Sequence, residues 1–459
     1  MSAITGHQAA ASDLRARYAR LPADRRVRLA KPTSNLFRFR SDAGRIARLD
    51  AGALDRVLEV DPVARTATVQ GMTTYEDLVR ATLAHGLMPH VVPQLKTITV
   101  GGALAGLGIE SASFRNGLAH ESVREVEVLT GDGRLVTATA DNEHADLFRG
   151  MPNSYGTLGY AVSLKVELEP VRRWVTLRHI PFPGASGASE AAEAITAICR
   201  AGSYDGERVD FLDGTVFSGN EQYLTLGRFA DEEPYQPSDY TGQRIYYRSI
   251  QHREHDVLST HDYLWRWDTD WFWCSRALGA QHPVGRLLWP RKYRRSDVYR
   301  KLVALDRRTG LSGRVRGWRG LPQEEPVIQD IEVPVERLAE FLAAFHSEIG
   351  ISPVWLCPVR LRNPEGWPLY PMQPGRLYVN VGFWSAVPLG PGEEPGTYNR
   401  RIERLVADLD GHKSLYSDSY YTREEFEGRY NGPAYRELKK AYDPGGRLPD
   451  LYEKCVRER

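Results

Sequence analysis

The 459 residues contain no run of about eighteen apolar side chains, which excludes a bilayer-spanning helix. The opening stretch MSAITGHQAAASDLRARYAR has no apolar core of signal-peptide type, and this predicts a cytoplasmic protein. Cysteine is scarce. Cys199, Cys274, Cys357 and Cys455 stand far apart with no CxxC pair, so neither a disulfide framework nor a zinc site is expected, and no metal site is read. Net charge is nearly absent too: 60 Lys+Arg against 59 Asp+Glu leaves +1, which argues against a bulk nucleic-acid binder. Lysine is rare, nine against 51 arginines, as GC-rich bacterial coding sequences tend to give. What remains is the composition of a soluble globular protein, 42% hydrophobic and 26% charged, long enough for two or three packed units.

The pattern along the chain mixes helices and strands. Residues 12–22 read as a charged helix and 32–35 as a turn. Arg56–Val60 and Thr66–Gln70 read as strands. Thr74 is placed to cap a helix over Tyr75–His85, with Gly86 as its stop. Val123–Leu129 and Leu135–Ala138 flank a Gly131-Asp132-Gly133 hairpin turn, and Ala161–Leu168 alternates as a strand. Further on, a helix is expected at Ala188–Ala201. Strands are expected at Val209–Leu212, Gln222–Arg228, Val327–Val333, Val354–Leu361, Leu377–Phe383 and Lys413–Tyr416. Further helices are expected at Pro334–Ile349 and Tyr398–Leu409, and from Thr422 and Pro433.

Glycine concentrates in Thr99–Ile109, TVGGALAGLGI, and again around Gly156 and Gly159. The first is not a Walker loop, for no Gly-Lys-Ser/Thr follows, and Gly106-Leu107-Gly108-Ile109-Glu110-Ser111 lacks the third glycine of a dinucleotide fingerprint. Two readings fit: a tight buried turn that needs small residues, or backbone N–H groups left bare for a phosphate. Two such loops in one α+β unit suit a long cofactor with a pyrophosphate in its middle.

These segments carry a resemblance. LMPHVVPQLKTITVGGALAGLGIESASFRNG, VEVLTGDGRLV and NEHADLFRGMPNSYGTLGYAVSLKVELEP resemble the FAD-binding (PCMH-type) domain of the vanillyl-alcohol-oxidase class. Gln329-Asp330 with Val333-Pro334, Trp355-Leu356-Cys357-Pro358, Leu415-Tyr416-Ser417-Asp418 and Arg423-Glu424-Glu425-Phe426 resemble the 24-dehydrocholesterol reductase (delta-24 sterol reductase) branch. The resemblance runs from about Ala53 onward. It implies an α+β fold: a two-part FAD-binding domain over 1–172, an α+β substrate or cap domain with an antiparallel sheet over 173–400, and a C-terminal segment, 401–459, returning to the flavin. It implies that Thr99, Gly101, Gly102, Gly106, Gly108, Ile109, Ser111 and Ser113 wrap the FAD pyrophosphate. Tyr155, Gly156, Thr157, Gly159, Tyr160 and Val162 would border the flavin and its adenosine end. Many relatives of this class tether FAD through an early histidine; Lys31–Arg38 has none, so FAD is expected to be non-covalent.

The implied reaction is reduction of an isolated C=C bond, with NADPH as electron donor and an acid beside the alkene. Tyr416 and Asp418 are the candidate catalytic residues, with the alternative that the tyrosine packs and the aspartate caps a turn. Glu110 is expected to point away, toward Arg115 or solvent. Cys357 is expected to be inert and His412 to lie on the surface. Four tryptophans fall in HDYLWRWDTDWFWC, 261–274, and 286–319 follows with twelve basic and two acidic residues. Aromatic and basic side chains together predict peripheral contact with an anionic membrane; a core cluster beside a solvated basic face is the other reading. The branch also resembles bacterial reductases that turn methylene-branched fatty acyl chains of phospholipids into methyl-branched ones, beside an S-adenosylmethionine-dependent methyltransferase partner. A lipid alkene of that kind is the leading expectation. The alternatives are a sterol or isoprenoid side-chain reductase, an alcohol or polyol oxidase, and a non-enzymatic lipid-binding module.

Overall fold

A computed structural model of the chain describes residues 3–31, 37–38 and 46–456. The turn expected at 32–35 lies outside them. The fold is α+β, built on two large antiparallel sheets.

The first sheet has six strands. Val57–Asp61, Thr66–Gln70, Gly159–Pro170, Val123–Thr130 and Leu135–Thr139 are neighbours in that order, and Leu87–Pro89 joins Gly159–Pro170. The long strand Gly159–Pro170 alternates buried and less buried residues over most of its length, as a half-buried strand must. The helix over Tyr75–Leu83 starts where the Thr74 side chain accepts from the Asp77 N–H, and Gly86 follows at φ +68°. The glycine segment differs from an open loop: Val100–Ala105 is a short helix, capped by Thr99, which accepts from the Gly102 N–H. It lies so close to the sheet that a β-carbon on Gly101 would stand 2.7 Å from the Gly71 carbonyl oxygen. The N-terminal helix is longer than expected, Ala3–Arg20, and packs Leu14 and Tyr18 beside Tyr160 and Val162.

The second sheet has eight strands, ordered His255–Ser259, Trp174–Pro183, Glu221–Ala230, Phe211–Ser218, Val354–Val359, Tyr378–Pro388, Glu324–Pro334 and His412–Lys413. Its two faces serve different ends. Val327, Ile331, Val333, Val381 and Phe383 pack with Ile195, Phe341, Phe345 and Ile402 from the helices Gly187–Ala201, Leu338–Glu348 and Thr397–Asp408. Period-two alternation sends Asp330, Asn380 and Trp384 to the opposite face, toward the first sheet. The strand expected at Lys413–Tyr416 is only His412–Lys413; the chain then leaves the ladder and brings Tyr416 inward. The helices Pro283–Leu288, Ser296–Thr309 and Leu311–Trp318 were not legible as elements within the basic stretch.

Three expectations are corrected. Trp265, Trp267, Trp271 and Trp273 are all buried, each at 5% exposure or less, so this cluster is core and not a membrane-facing patch. Its indoles find partners inside: Trp267 and Trp355 both donate to Asp213 Oδ2, at 3.2 and 3.1 Å. Glu110 turns to neither Arg115 nor solvent. It is buried and paired with Arg266 at 2.9 Å, while Arg115 forms a two-pronged bridge to Glu169. His412 is not on the surface. It is buried between the Tyr370 and Tyr378 rings, with Nε2 3.3 Å from Glu332, and burial pushes its pKa down to about 3. Cys357 is fully buried among apolar neighbours, with its thiol pKa pushed up by that burial, as expected of an inert thiol.

Candidate active site

Between the two sheets lies a cavity of about 330 Å³. One wall is the glycine segment, one is the inner face of the second sheet, and the C-terminal segment closes a third.

On the glycine side, the Thr99 hydroxyl is the pivot. It accepts from the Gly102 N–H and from Lys31 Nζ, which reaches it at 2.9 Å. A β-carbon on Gly102 would stand 2.8 Å from Thr99 Oγ1 and 3.3 Å from Lys31 Nζ, so glycine keeps this corner open. Lys31 has no carboxylate partner among the described residues, and desolvation lowers its pKa to about 8. Lys454, from the C-terminal helix Leu451–Cys455, enters the same cavity and donates to the Tyr155 carbonyl. It too lacks a carboxylate partner among the described residues. Burial and the nearby Arg38 guanidinium lower its pKa to about 7. Arg38 itself lies 4.5 Å over the Tyr155 ring. The cavity therefore holds cations in want of an anion.

The second glycine loop is held by unusual backbone. Tyr155 and Gly156 both take the left-handed conformation, at φ +49° and +73°, with the Tyr155 N–H donating to the Ala105 carbonyl at 2.6 Å. This joins the two small-residue loops. Among the described residues the buried Tyr155 hydroxyl has no hydrogen-bond partner, and neither do Thr97 Oγ1 and Asn380 Oδ1; all three belong to cavity-lining residues.

The far end is acidic and aromatic. Asp330 accepts from Asn380 Nδ2 at 3.0 Å, and the neighbouring Tyr416 hydroxyl partly offsets the rise that burial gives its pKa. The Tyr416 oxygen in turn accepts from the Trp384 indole at 3.1 Å. Phe272, stacked 4.1 Å from Trp384, and Trp355 make the surroundings apolar. Burial raises the Asp330 carboxyl to about 6. Two residues along the same strand, Glu332 accepts from Ser414 and Tyr370, and burial holds it well above the usual carboxylate range.

Of the residues read from the sequence, Thr99, Gly101, Gly102, Gly108, Ile109, Tyr155, Gly156, Gly159, Tyr160 and Tyr416 line the cavity. Others stand behind it. Gly106 faces the Tyr155 ring, Thr157 donates to the Ser154 carbonyl, and Val162 packs in the N-terminal core. Ser111 bonds to Glu110 and Tyr263, and Ser113 accepts from the Glu110 N–H. Asp418 is not among the lining residues; its carbonyl accepts from Lys413. Sequence reasoning passed over Asp330, Lys31 and Lys454. Asp330 did stand in a recognisable Gln329-Asp330 pair, but nothing local marked the two lysines.

Comparison with known proteins agrees with this geometry. Residues 26–139 match a family described as FAD binding domain. The chain is 27% identical over 416 residues to the Delta(24)-sterol reductase of Homo sapiens, covering 87% of this chain and 76% of that protein. It is 27% identical over 442 residues to the Delta(24)-sterol reductase of Arabidopsis thaliana, covering 90% and 77%. It is 31% identical over 180 residues to Cytokinin dehydrogenase 2 of Oryza sativa subsp. japonica, covering 38% and 31%. The protein is an FAD-dependent oxidoreductase. The cavity of this flavoenzyme fits the cofactor: two uncompensated lysines suit a dianionic diphosphate, and the orphaned Thr97, Tyr155 and Asn380 atoms await a polar ligand. The loop in which a tethering histidine would stand, 32–36, lies outside the described residues.

Proposed function

We propose that this flavoenzyme reduces an isolated C=C bond in a lipid, with NAD(P)H as the electron donor. The observation that carries the proposal is the hydrogen-bonded Trp384–Tyr416 pair with Asp330 beside it, all three lining an apolar pocket of an FAD-type cavity. FAD, reduced by NAD(P)H, supplies a hydride. Thr99, Gly101, Gly102 and Lys31 would hold its diphosphate, and Tyr155, Gly156, Gly159 and Tyr160 would border it.

An unactivated alkene takes up hydride only if its other carbon gains a proton. Tyr416 Oη holds that proton. The Trp384 N–H bond to the oxygen stabilises negative charge left there, and Asp330, when protonated, returns a proton to it. The π pair would form the new C–H bond to the Tyr416 proton, and the carbon left electron-deficient would take the hydride that reduced FAD, when bound, would supply. Phe272, Trp355 and Trp384 exclude water that would otherwise capture the cation.

This chemistry favours an alkene that gives a tertiary cation. A methylene-branched fatty acyl chain of a phospholipid does so, and its reduction yields the methyl-branched chain. Such a substrate arises from a methylene-transferring, S-adenosylmethionine-dependent methyltransferase of bacterial kind. The relatives favour a second reading, a sterol side-chain alkene, since their names state that activity. Anaerobic mixing separates the two. NADPH should bleach the flavin, and a methylene-acyl phospholipid should restore its colour and gain two mass units, roughly. Restoration by a delta-24 sterol alone would hand the site to the second reading. Failure of NADPH to bleach the flavin, with rapid reduction by a polyol, would overturn both.

A further inference from the structure

Among the described residues, eleven large hydrophobic side chains are exposed, and eight of them fall between Val284 and Leu321. They follow helical spacing. On Pro283–Leu288 the outward residues are Val284, Leu287 and Leu288, at i, i+3 and i+4, with the two leucines 71% and 75% exposed. On Ser296–Thr309 Leu305 is exposed, flanked by the exposed Lys301 and Arg308 at four and three residues' distance. On Leu311–Trp318 the exposed Val315 and Trp318 are three apart, the tryptophan at 87% exposure, with the exposed Arg314 and Arg319 beside them.

The inner side of this segment is firmly anchored. Arg286 is buried and paired with Asp270, Arg294 donates to the carbonyls of Gly242 and Trp289, and Arg295 bridges to Glu76. Tyr299 is fully buried. Three of the twelve basic residues thus serve the interior. Those that remain outside include Arg291, Lys292, Lys301, Arg308, Arg314 and Arg319, while no acid of 283–321 is exposed among the described residues. Exposed apolar side chains interspersed with exposed cations along one segment suit a surface that offers both apolar and anionic groups. A second copy of this chain would bring the same exposed cations and be repelled.

We propose that the helices of 283–321 dock the protein on an anionic phospholipid surface. The proposal goes beyond the reductase reading and stands without it. It differs from a contact anchored by the tryptophans of 265–273, because that cluster is core.

The test is flotation of the FAD-loaded protein with phosphatidylcholine vesicles, with and without phosphatidylglycerol. Binding should require phosphatidylglycerol and weaken as salt rises from about 0.1 to about 0.5 M. Lys301→Glu with Arg308→Glu should lower partitioning about ten-fold or more. Leu287→Ser with Leu288→Ser should do likewise, with flavin absorbance and thermal midpoint unchanged. Absence of binding to either vesicle, or binding indifferent to all four substitutions, would overturn the proposal. So would a lipid-free dimer, seen by sedimentation velocity, that the leucine substitutions dissociate.

Discussion

Asp330 stands directly across the ladder from Gly382, and a β-carbon on that glycine would come 2.4 Å from Asp330 Oδ1. The same carbon would meet the Trp384 ring at 2.7 Å. Glycine at 382 therefore leaves the space that Asp330 and Trp384 fill beside Tyr416. Gly382→Ala should displace Asp330 and Trp384 at once. In double-mixing kinetics, NADPH-dependent bleaching should persist while alkene-dependent return of flavin colour slows roughly a hundred-fold. Equal slowing of both halves would instead mean that the cofactor itself had been displaced.

The Asp330 carboxyl predicts a pH dependence. Burial raises its folded-state pKa from 3.8 to about 6, so it holds its proton below that pH and loses it above. The alkene half-reaction should then be fast below about 6 and fall as pH rises through it. Asp330→Asn cannot return a proton, so it should be slow throughout and lose the inflection. For stability the sign follows the same shift: the carboxyl favours folding only while protonated. Its contribution shrinks as pH rises from about 4 to about 6, and Asp330→Asn should flatten that part of the thermal-midpoint profile.

Tyr416→Phe keeps the ring and removes the proton. The ring packs edge-on to Phe37 at 5.9 Å, so the fold should tolerate the change. The alkene half-reaction should fall about a hundred-fold or more, with substrate affinity little altered. A change confined to KM would show that the hydroxyl only positions the substrate.

Much of this arrangement is legible in the sequence, and the parts that are not share a cause. Strands such as Val123–Thr130 and Val354–Val359 declare themselves by local apolar pattern, and the glycine loops by composition. Tyr416 was legible as part of a C-terminal motif. Asp330 gains its role only from register, because strand alternation and the gap at Gly382 turn an ordinary strand aspartate inward. Lys31 and Lys454 are 423 positions apart and converge through packing that no local pattern encodes. The tryptophan segment misled for a related reason: apolar-plus-basic composition is the same for a core cluster and a lipid-facing one. Burial separates them, leaving the tryptophans inside and only the later helices outside.

The two lysines give a prediction with no catalytic readout. Near pH 8, Lys454 with a pKa of about 7 is mostly neutral, and Lys31 with one of about 8 is half charged. A diphosphate entering the cavity favours the charged form of both and raises each pKa. FAD binding to apoprotein in weak buffer at pH 8 should therefore take up about one proton per site, measured with an indicator dye. Lys454→Met should remove most of that uptake and weaken FAD binding, and Lys31→Met should remove the remainder. No net uptake would mean that the anion sits elsewhere.

A buried charge cluster sets the last expectation. Arg266, with no side-chain exposure, holds Glu110 and Asp213 at 2.9 Å each, and its guanidinium lies 4.0 Å over the Tyr263 ring. Asp213 also accepts from Trp267 and Trp355, so this arginine ties the end of the glycine segment to the tryptophan core and to the second sheet. Arg266→Met keeps much of the volume but leaves two carboxyls buried without their cation. Burial already raises Glu110 above its ordinary pKa, and without the arginine it is driven further toward protonation. The loss should be about 3–5 kcal/mol, the usual cost of removing one partner from a buried ion pair. Denaturant titration of the FAD-loaded protein measures it. Adding Glu110→Gln and Asp213→Asn to Arg266→Met should recover part of the loss, because the uncompensated charge is gone. If the triple variant is no more stable than the single one, the cost lies in lost packing against Tyr263 rather than in stranded carboxylates.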